Sequence, residues 1–346
     1  MFAAGVTGCG GVDLVPAGDA GAPGDAQVDA NAVDGAGPAL LGACAATAAV
    51  ASGTLCALQP SVIDPATLDV AGTASSADQA IGYGYHLVGL PTHPDPTKPL
   101  WIHFGGTYGR PYDQATGGMA SELWLGELMA HGYTVVQVAY ANRWSVNDRC
   151  QAPNPGVDRD DCAGQIRDEV LTGIDRTPYQ DTDVANSVDH RLAVLLAFVA
   201  ANGVALPPGV DPASLDWSQV RVSGHSQGGN LAYFNARRRG VTFACMLASP
   251  YDVPDSVAPG PRPIADWFTA GTSLTPGAQL GQLITTEDPS ATAFRAAGSL
   301  IGVPAGQAIE VSRPPYHNPV GAEIDGHAAP LADPSLAADR AQACLR

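Results

Sequence analysis

Uninterrupted apolar runs alternate along most of this chain with stretches whose apolar residues lie three or four positions apart. The runs read as β-strands and the spaced stretches as α-helices. From about residue 80, the first strand covers 81–90. Leu100-Trp101-Ile102-His103-Phe104 is the second, stopped by Gly105-Gly106. Residues 119–131 carry Leu123, Trp124 and Leu128 at helical spacing, and Gly132 ends them. Residues 133–140 (YTVVQVAY) are apolar almost throughout, which suits a strand covered on both faces. A long irregular loop is expected over 141–180, then a helix over 183–202 that Pro207-Pro208 separates from the next strand. Further strands are predicted at 219–224, 241–249, 279–285 and 308–312, and further helices at 227–239, 291–301 and 335–345. Strands alternating with helices of this length imply βαβ units and a mainly parallel sheet with right-handed crossovers.

The first 42 residues have no such pattern. Residues 10–42 are Gly, Ala, Asp, Val and Pro in the main, with Asp13, Asp19, Asp25, Asp29 and Asp34 and no cation or aromatic residue. A segment of this kind buries too little apolar surface to offset its ordering entropy, so a flexible acidic tether is expected ahead of a folded body at 43–346. Val6-Thr7-Gly8-Cys9 has an aliphatic residue, two small residues and a Cys. It resembles the end of a bacterial lipoprotein signal peptide, although only eight residues precede Cys9 and neither a basic nor a clear apolar region is among them. That resemblance makes Cys9 the candidate lipidation site.

Composition narrows the function classes. The chain has 346 residues, 45 % of them hydrophobic, and Lys+Arg total 17 against Asp+Glu 34, a net charge of −17. A surface that acidic repels phosphate backbones, so nucleic acid is not an expected partner. No apolar run reaches the ~18 residues that a membrane-spanning helix needs, which leaves a lipid anchor as the expected route to a membrane. Besides Cys9 there are six cysteines, and six permit 15 pairings. Cys44 with Cys56 and Cys150 with Cys162 are local pairs, which leaves Cys245 with Cys344. No Cys/His cluster has zinc spacing, so disulfides and an extracytoplasmic setting are expected, and no metal.

One motif carries chemistry. Gly224-His225-Ser226-Gln227-Gly228 is a G-x-S-x-G pattern. The strand containing Val220-Arg221-Val222 runs into it and a helix opens after it, which is the strand–turn–helix setting of a nucleophile elbow. Its glycines let the turn pass close to its neighbours. Ser226 is the candidate nucleophile, with a helix N-terminus behind it that favours developing negative charge. Upstream, His103-Phe104-Gly105-Gly106-Thr107 follows a strand where an oxyanion loop belongs. Backbone N–H groups of Gly106 or Thr107 and of Gln227 are the candidate oxyanion donors.

On these residues the chain from about residue 80 to its end resembles the α/β-hydrolase superfamily, in particular secreted bacterial serine esterases and lipases with a GHSQGG elbow and an H-x-G-G oxyanion loop. The resemblance implies an α/β-hydrolase fold with a mainly parallel central sheet flanked by helices. It also implies a triad in the order Ser, acid, His, and no cofactor. Asp288, at the end of the strand Gln282-Leu283-Ile284-Thr285, is the first candidate acid, with Glu287 beside it and Asp252 as the rival. His327, in a small-residue loop before the last helix, is the first candidate base, and His317 is the alternative. His225 is expected to pack or to line the pocket, and His103 to support the oxyanion loop. Insertions over the strand ends, at 141–180 and 251–279, would set substrate choice, with Trp267 and Phe268 as candidate walls. The expectation is ester hydrolysis on a small-molecule or lipid ester by a protein anchored at the bacterial envelope or cell surface, or secreted. A serine peptidase, an acyltransferase and a non-catalytic surface binder are the alternatives.

Overall fold

The computed structural model describes residues 38–69, 84–113, 117–151, 161–252, 264–314, 316–317 and 323–346. Cys9, the tether as far as residue 37 and the start of the strand expected at 81–90 lie outside them.

Among the described residues nine strands form the central sheet. They are β1 (Ala46–Val50), β2 (Gly53–Leu58), β3 (His86–Pro91), β4 (Leu100–Phe104), β5 (Val135–Gln137), β6 (Val220–His225), β7 (Phe243–Leu247), β8 (Leu280–Thr285) and β9 (Ala308–Val311). Their spatial order is β1-β2-β3-β5-β4-β6-β7-β8-β9. The first three strands form an antiparallel meander that pairs onto β5, and every pair from β5 to β9 is parallel. Two consequences matter for function. The sequence reverses direction across the sheet at β4, and the carboxyl ends of β4, β5, β6, β7 and β8 all open on the same side, where loops converge.

The alternation of side chains along each strand fills a core on both faces. Leu100, Ile102 and Phe104 of β4 join Val220, Val222, Ala244 and Met246 on one face. Trp101 joins Phe243, Cys245, Leu247 and Leu283 on the other. Burial on both faces is why these strands are continuous apolar runs in the sequence. The first face is covered by α4 (Cys162–Thr172), α5 (Val188–Ala201) and α6 (Gln227–Arg239), and the second by α2 (Glu122–Ala130) and α8 (Ala337–Cys344). α7 (Ala291–Leu300) follows β8. Most of these boundaries lie within a few residues of those expected.

Three features depart from the expectation. The folded body starts earlier: residues 38–42, read as the end of the tether, lie in a short helix, α1 (Pro38–Ala43), whose Leu40 is fully buried. β1 and β2 were not expected, because ATAAV and GTLCAL hold few β-branched and no aromatic residues, the types that mark strands. The region 141–180 is not an irregular loop, since it contains α3 (Val146–Gln151) and α4. α4 escapes the apolar pattern because it buries Arg167, Asp168 and Glu169. Each is paired: Arg167 with Asp252, Asp168 with Arg176 and Arg238, and Glu169 with backbone N–H groups of Arg176, Thr177 and Thr182.

Disulfides join Cys44 to Cys56, Cys150 to Cys162 and Cys245 to Cys344. The last ties β7 to α8. Among the described residues no helix is long and apolar enough to cross a membrane.

Candidate active site

Ser226 stands between β6 and α6 with φ 55°, a conformation that non-glycine residues rarely adopt. Its N–H donates to Leu247 O at 2.9 Å, and its carbonyl accepts from the N–H groups of Gly229 and Asn230 at 2.9 and 3.2 Å. The turn is therefore pinned to β7 on one side and to the first turn of α6 on the other. The two glycines of the motif permit it. A Cβ on Gly224 would lie 2.1 Å from the carbonyl of Gly228, and one on Gly228 would lie 2.1 Å from Phe104 O. Any side chain at either position would drive β6, α6 and β4 apart.

The loop after β4 approaches this elbow through a third glycine. A Cβ on Gly106 would lie 3.2 Å from His225 Nδ1 and 3.4 Å from Ser226 Cβ. The loop turns on itself with a Gly109 N–H to Gly106 O bond of 3.0 Å and a positive φ of 61° at Tyr108. Gln227 links it to the elbow: its side-chain oxygen accepts from Thr107 Oγ1 at 3.2 Å and from Val146 N at 3.0 Å. Gly106, Thr107, Gln227 and Ser226 are thus brought together. Two residues with no motif around them hold the loop from the far side. Tyr140 Oη donates to Gly105 O at 2.6 Å. Asn142 Nδ2 donates to Gly106 O at 2.6 Å and Gly109 O at 2.7 Å, while its own carbonyl accepts from Tyr108 N at 2.9 Å.

His103 has a defined tautomer. The Ser223 hydroxyl receives two indole N–H groups, from Trp101 at 2.7 Å and Trp124 at 3.2 Å, so its own hydrogen goes to His103 Nδ1 at 2.9 Å. The ring proton is then on Nε2, which donates to Ser121 Oγ at 3.2 Å. Burial pushes the pKa of His103 down to about 3, so the ring is neutral and serves as a strut beneath the loop.

On the other side of Ser226, His327 Nδ1 lies 2.7 Å from Asp288 Oδ2. A carboxylate only accepts, so Nδ1 carries the hydrogen, and in the neutral ring Nε2 keeps its lone pair. Asp288 is itself fixed, with Oδ1 accepting from Ser290 N at 2.7 Å and the side chain 1 % exposed. Thr285 Oγ1 donates to Gly326 O at 2.6 Å, which holds the histidine loop on the end of β8. His225, the residue before the serine, donates through Nε2 to His327 O at 2.8 Å, with the two rings 5.1 Å apart. Burial, and secondarily the His327 ring, pushes the pKa of His225 down to about 4. Among the described residues no hydrogen bond joins Ser226 Oγ to His327, and His225 is the link between them.

The rival residues are occupied elsewhere. Asp252 is 1 % exposed and bidentate to Arg167, with Nε to Oδ2 and Nη2 to Oδ1 both at 2.5 Å. It also accepts from Trp267 Nε1 at 3.0 Å and Asn230 Nδ2 at 3.1 Å, and no histidine is among these partners. Arg167 Nη1 reaches Gln227 O at 3.3 Å, so this pair braces the first turn of α6. His317 is exposed on a two-stranded ribbon opposite Glu323. Glu287 is exposed and accepts from Ser312 Oγ at 2.8 Å and Thr286 Oγ1 at 2.9 Å. Trp267 and Phe268 are packing residues rather than walls beside Ser226. They are 6 % and 1 % exposed and stack on each other and on Tyr233, because the helix they cover needs an apolar lid.

A cavity of about 770 Å³ lies between α4, α6 and the Trp267 segment, lined by Asp168, Arg176, Arg238 and Trp267 among others, and none of the candidate catalytic residues borders it. Among the described residues no three His, Cys, Asp or Glu side chains are grouped so as to hold a metal ion.

The strand order and the strand–turn–helix at Ser226 make the fold class an α/β-hydrolase fold, with a mainly parallel central sheet flanked by helices. No family model matches the sequence, and no curated protein matches it. Among solved structures the chain is similar to a bacterial heroin esterase, with 17 % identity over 76 % of this chain and 78 % of that one and a TM-score of 0.36. It is also similar to acetyl xylan esterase 1 from Thermoanaerobacterium sp. JW/SL YS485, with 13 % identity over 67 % and 73 % and a TM-score of 0.34. A third is EstE1, a thermostable carboxylesterase cloned from a metagenomic library, with 14 % identity over 83 % and 94 % and a TM-score of 0.32.

Proposed function

We propose that this chain is an extracytoplasmic serine hydrolase that cleaves carboxylic esters, with Ser226 as nucleophile, His327 as base and Asp288 as the acid. The observation that carries the reading is the 2.7 Å contact between His327 Nδ1 and Asp288, in a loop that His225 ties to the serine's own turn.

In this reading Ser226 Oγ attacks the ester carbonyl while His327 Nε2 takes its proton. Asp288 keeps the ring in the Nδ1–H tautomer and stabilises the imidazolium that forms. The oxyanion accepts from N–H groups of Gly106 or Thr107 and of Gln227. The protonated histidine then gives its proton to the leaving alcohol, and a water deprotonated by His327 hydrolyses the acyl-serine. None of these steps calls for a cofactor. The acidic surface favours neutral or cationic esters over nucleic acid or other polyanions. The three disulfides support an oxidising compartment. Lipidation at Cys9, at the head of an acidic tether, would keep the enzyme at the envelope surface.

The test is steady-state hydrolysis of p-nitrophenyl esters from acetate to octanoate by the full chain and its Ser226→Ala variant. Turnover of at least one ester is expected, with a loss of about 10⁴-fold or more in kcat on substitution. A variant that turns over as fast as the parent would remove Ser226 from the chemistry.

A further inference from the structure

The oxyanion loop is held by its carbonyl groups, and that determines where its N–H groups face. Gly105 O receives Tyr140 Oη, and Gly106 O receives Asn142 Nδ2, each at 2.6 Å. A trans peptide is planar, with its C=O and its N–H pointing in opposite directions. Fixing the carbonyl of Gly105 therefore fixes the N–H of Gly106, and fixing the carbonyl of Gly106 fixes the N–H of Thr107.

Sheet order supplies the setting. β4 lies between β5 and β6. Tyr140 and Asn142 follow β5, while Ser226 follows β6. Gly105 O also packs against the first turn of α6, 2.4 Å from where a Cβ on Gly228 would stand. The peptides held in this way border the nucleophile, since a Cβ on Gly106 would lie 3.4 Å from Ser226 Cβ, so the fixed N–H groups of Gly106 and Thr107 belong to the loop segment beside Ser226. We propose that Tyr140 and Asn142 are positioning residues that aim the two loop amides at the oxyanion, a role that rests on the acyl-transfer reading above.

The amide orientation of Asn142 is set by its partners. Both are carbonyl oxygens, at 2.6 and 2.7 Å, so only the nitrogen can face them. Asn142 is 1 % exposed, and among the described residues its Oδ1 has no hydrogen-bond partner. A buried acceptor without a donor opposes folding. What Asn142 supplies here is its two donor bonds to the loop carbonyls. Tyr140 packs its ring edge-on against Phe104 at 6.0 Å and brings its hydroxyl to the loop at Gly105 O.

The experiment measures kcat, KM and the affinity of an alkyl trifluoromethyl ketone for the full chain and its Asn142→Asp and Tyr140→Phe variants. The ketone adds reversibly to the serine and forms a tetrahedral oxyanion. Asn142→Asp keeps the shape but turns an oxygen toward two carbonyls, and kcat should fall about 10- to 100-fold with KM within about 2-fold. Tyr140→Phe keeps the ring and loses one clamp, and kcat should fall about 3- to 10-fold. In both, ketone affinity should fall by the same factor as kcat/KM, because both report on oxyanion binding. If Asn142→Asp does not fold, Tyr140→Phe decides the matter. Variants that fold and keep kcat and ketone affinity within 2-fold overturn the proposal, as does a loss confined to KM. An unmutated chain with no Ser226-dependent turnover overturns the acyl-transfer reading instead, and this role with it.

Discussion

Asp252 and Asp288 occupy equivalent places after adjacent parallel strands, β7 and β8, and both are nearly inaccessible, at 1 % and 4 % exposure. Their partners divide them. Asp252 faces a guanidinium, an indole N–H and a side-chain amide, all donors that cannot accept a proton at neutral pH. Asp288 faces an imidazole, which can. A carboxylate locked to Arg167 is a structural brace for the start of α6, whereas one bonded to His327 can take part in proton transfer by orienting the ring. Burial and position on the sheet therefore do not separate these two carboxylates, and the chemistry of the facing group does.

The same contrast separates the histidines. His103 is sealed between Ser223 and Ser121 with its proton assigned to Nε2. His327 presents a ring whose side chain is 31 % exposed. One is a strut and the other is open to the cleft.

Substituting the two carboxylates gives the sharpest test of this division. Asp288→Asn preserves shape but favours the wrong histidine tautomer, and kcat should fall about 10⁴-fold with thermal stability little changed. Asp252→Asn should do the reverse. It leaves Arg167 buried without its counter-charge, at a cost of about 3–5 kcal/mol in urea unfolding, while kcat per folded molecule stays within about 10-fold. If Asp252→Asn were the variant that lost turnover while remaining stable, the two roles would have to be exchanged.

The histidine contrast predicts a smaller effect, on acid stability. The pKa of His103 in the fold is lowered to about 3, and burial lowers that of His86 as well, whereas in the unfolded chain each titrates near 6.5. Below pH 6.5 the unfolded chain therefore binds more protons. Stability contributed by the neutral rings is fully present above that value and declines as pH falls toward the folded pKa, by up to about 1.4 kcal/mol per unit for each ring. Urea unfolding between pH 7.5 and 5 should show this decline, and a His103→Gln variant should show it reduced. An unchanged slope in the variant would mean that His103 is charged in the fold.

Much of this was legible in the sequence. β4 to β8 are apolar runs because both of their faces are covered, and Ser226 is marked by a turn that only glycines can flank. The Ala-rich β1 and β2 carried no such mark, and α4 was hidden by the charges it buries. Asp288 was named first with Asp252 as the rival, but the contact that now distinguishes their surroundings was not readable, because it is made by Arg167, 85 residues from Asp252 along the chain. Tyr140 ends an expected strand and Asn142 follows it, yet nothing in that segment indicates that their side chains turn toward the carbonyls of residues 105 and 106.

The most direct test of the account is to treat the full chain with a fluorophosphonate probe and map the adduct by mass spectrometry. The account predicts a single modified residue, Ser226, with labelling lost in Ser226→Ala, greatly slowed in His327→Ala and unaffected in His317→Ala. A folded protein that takes up no label, or that is labelled at another residue, would contradict it.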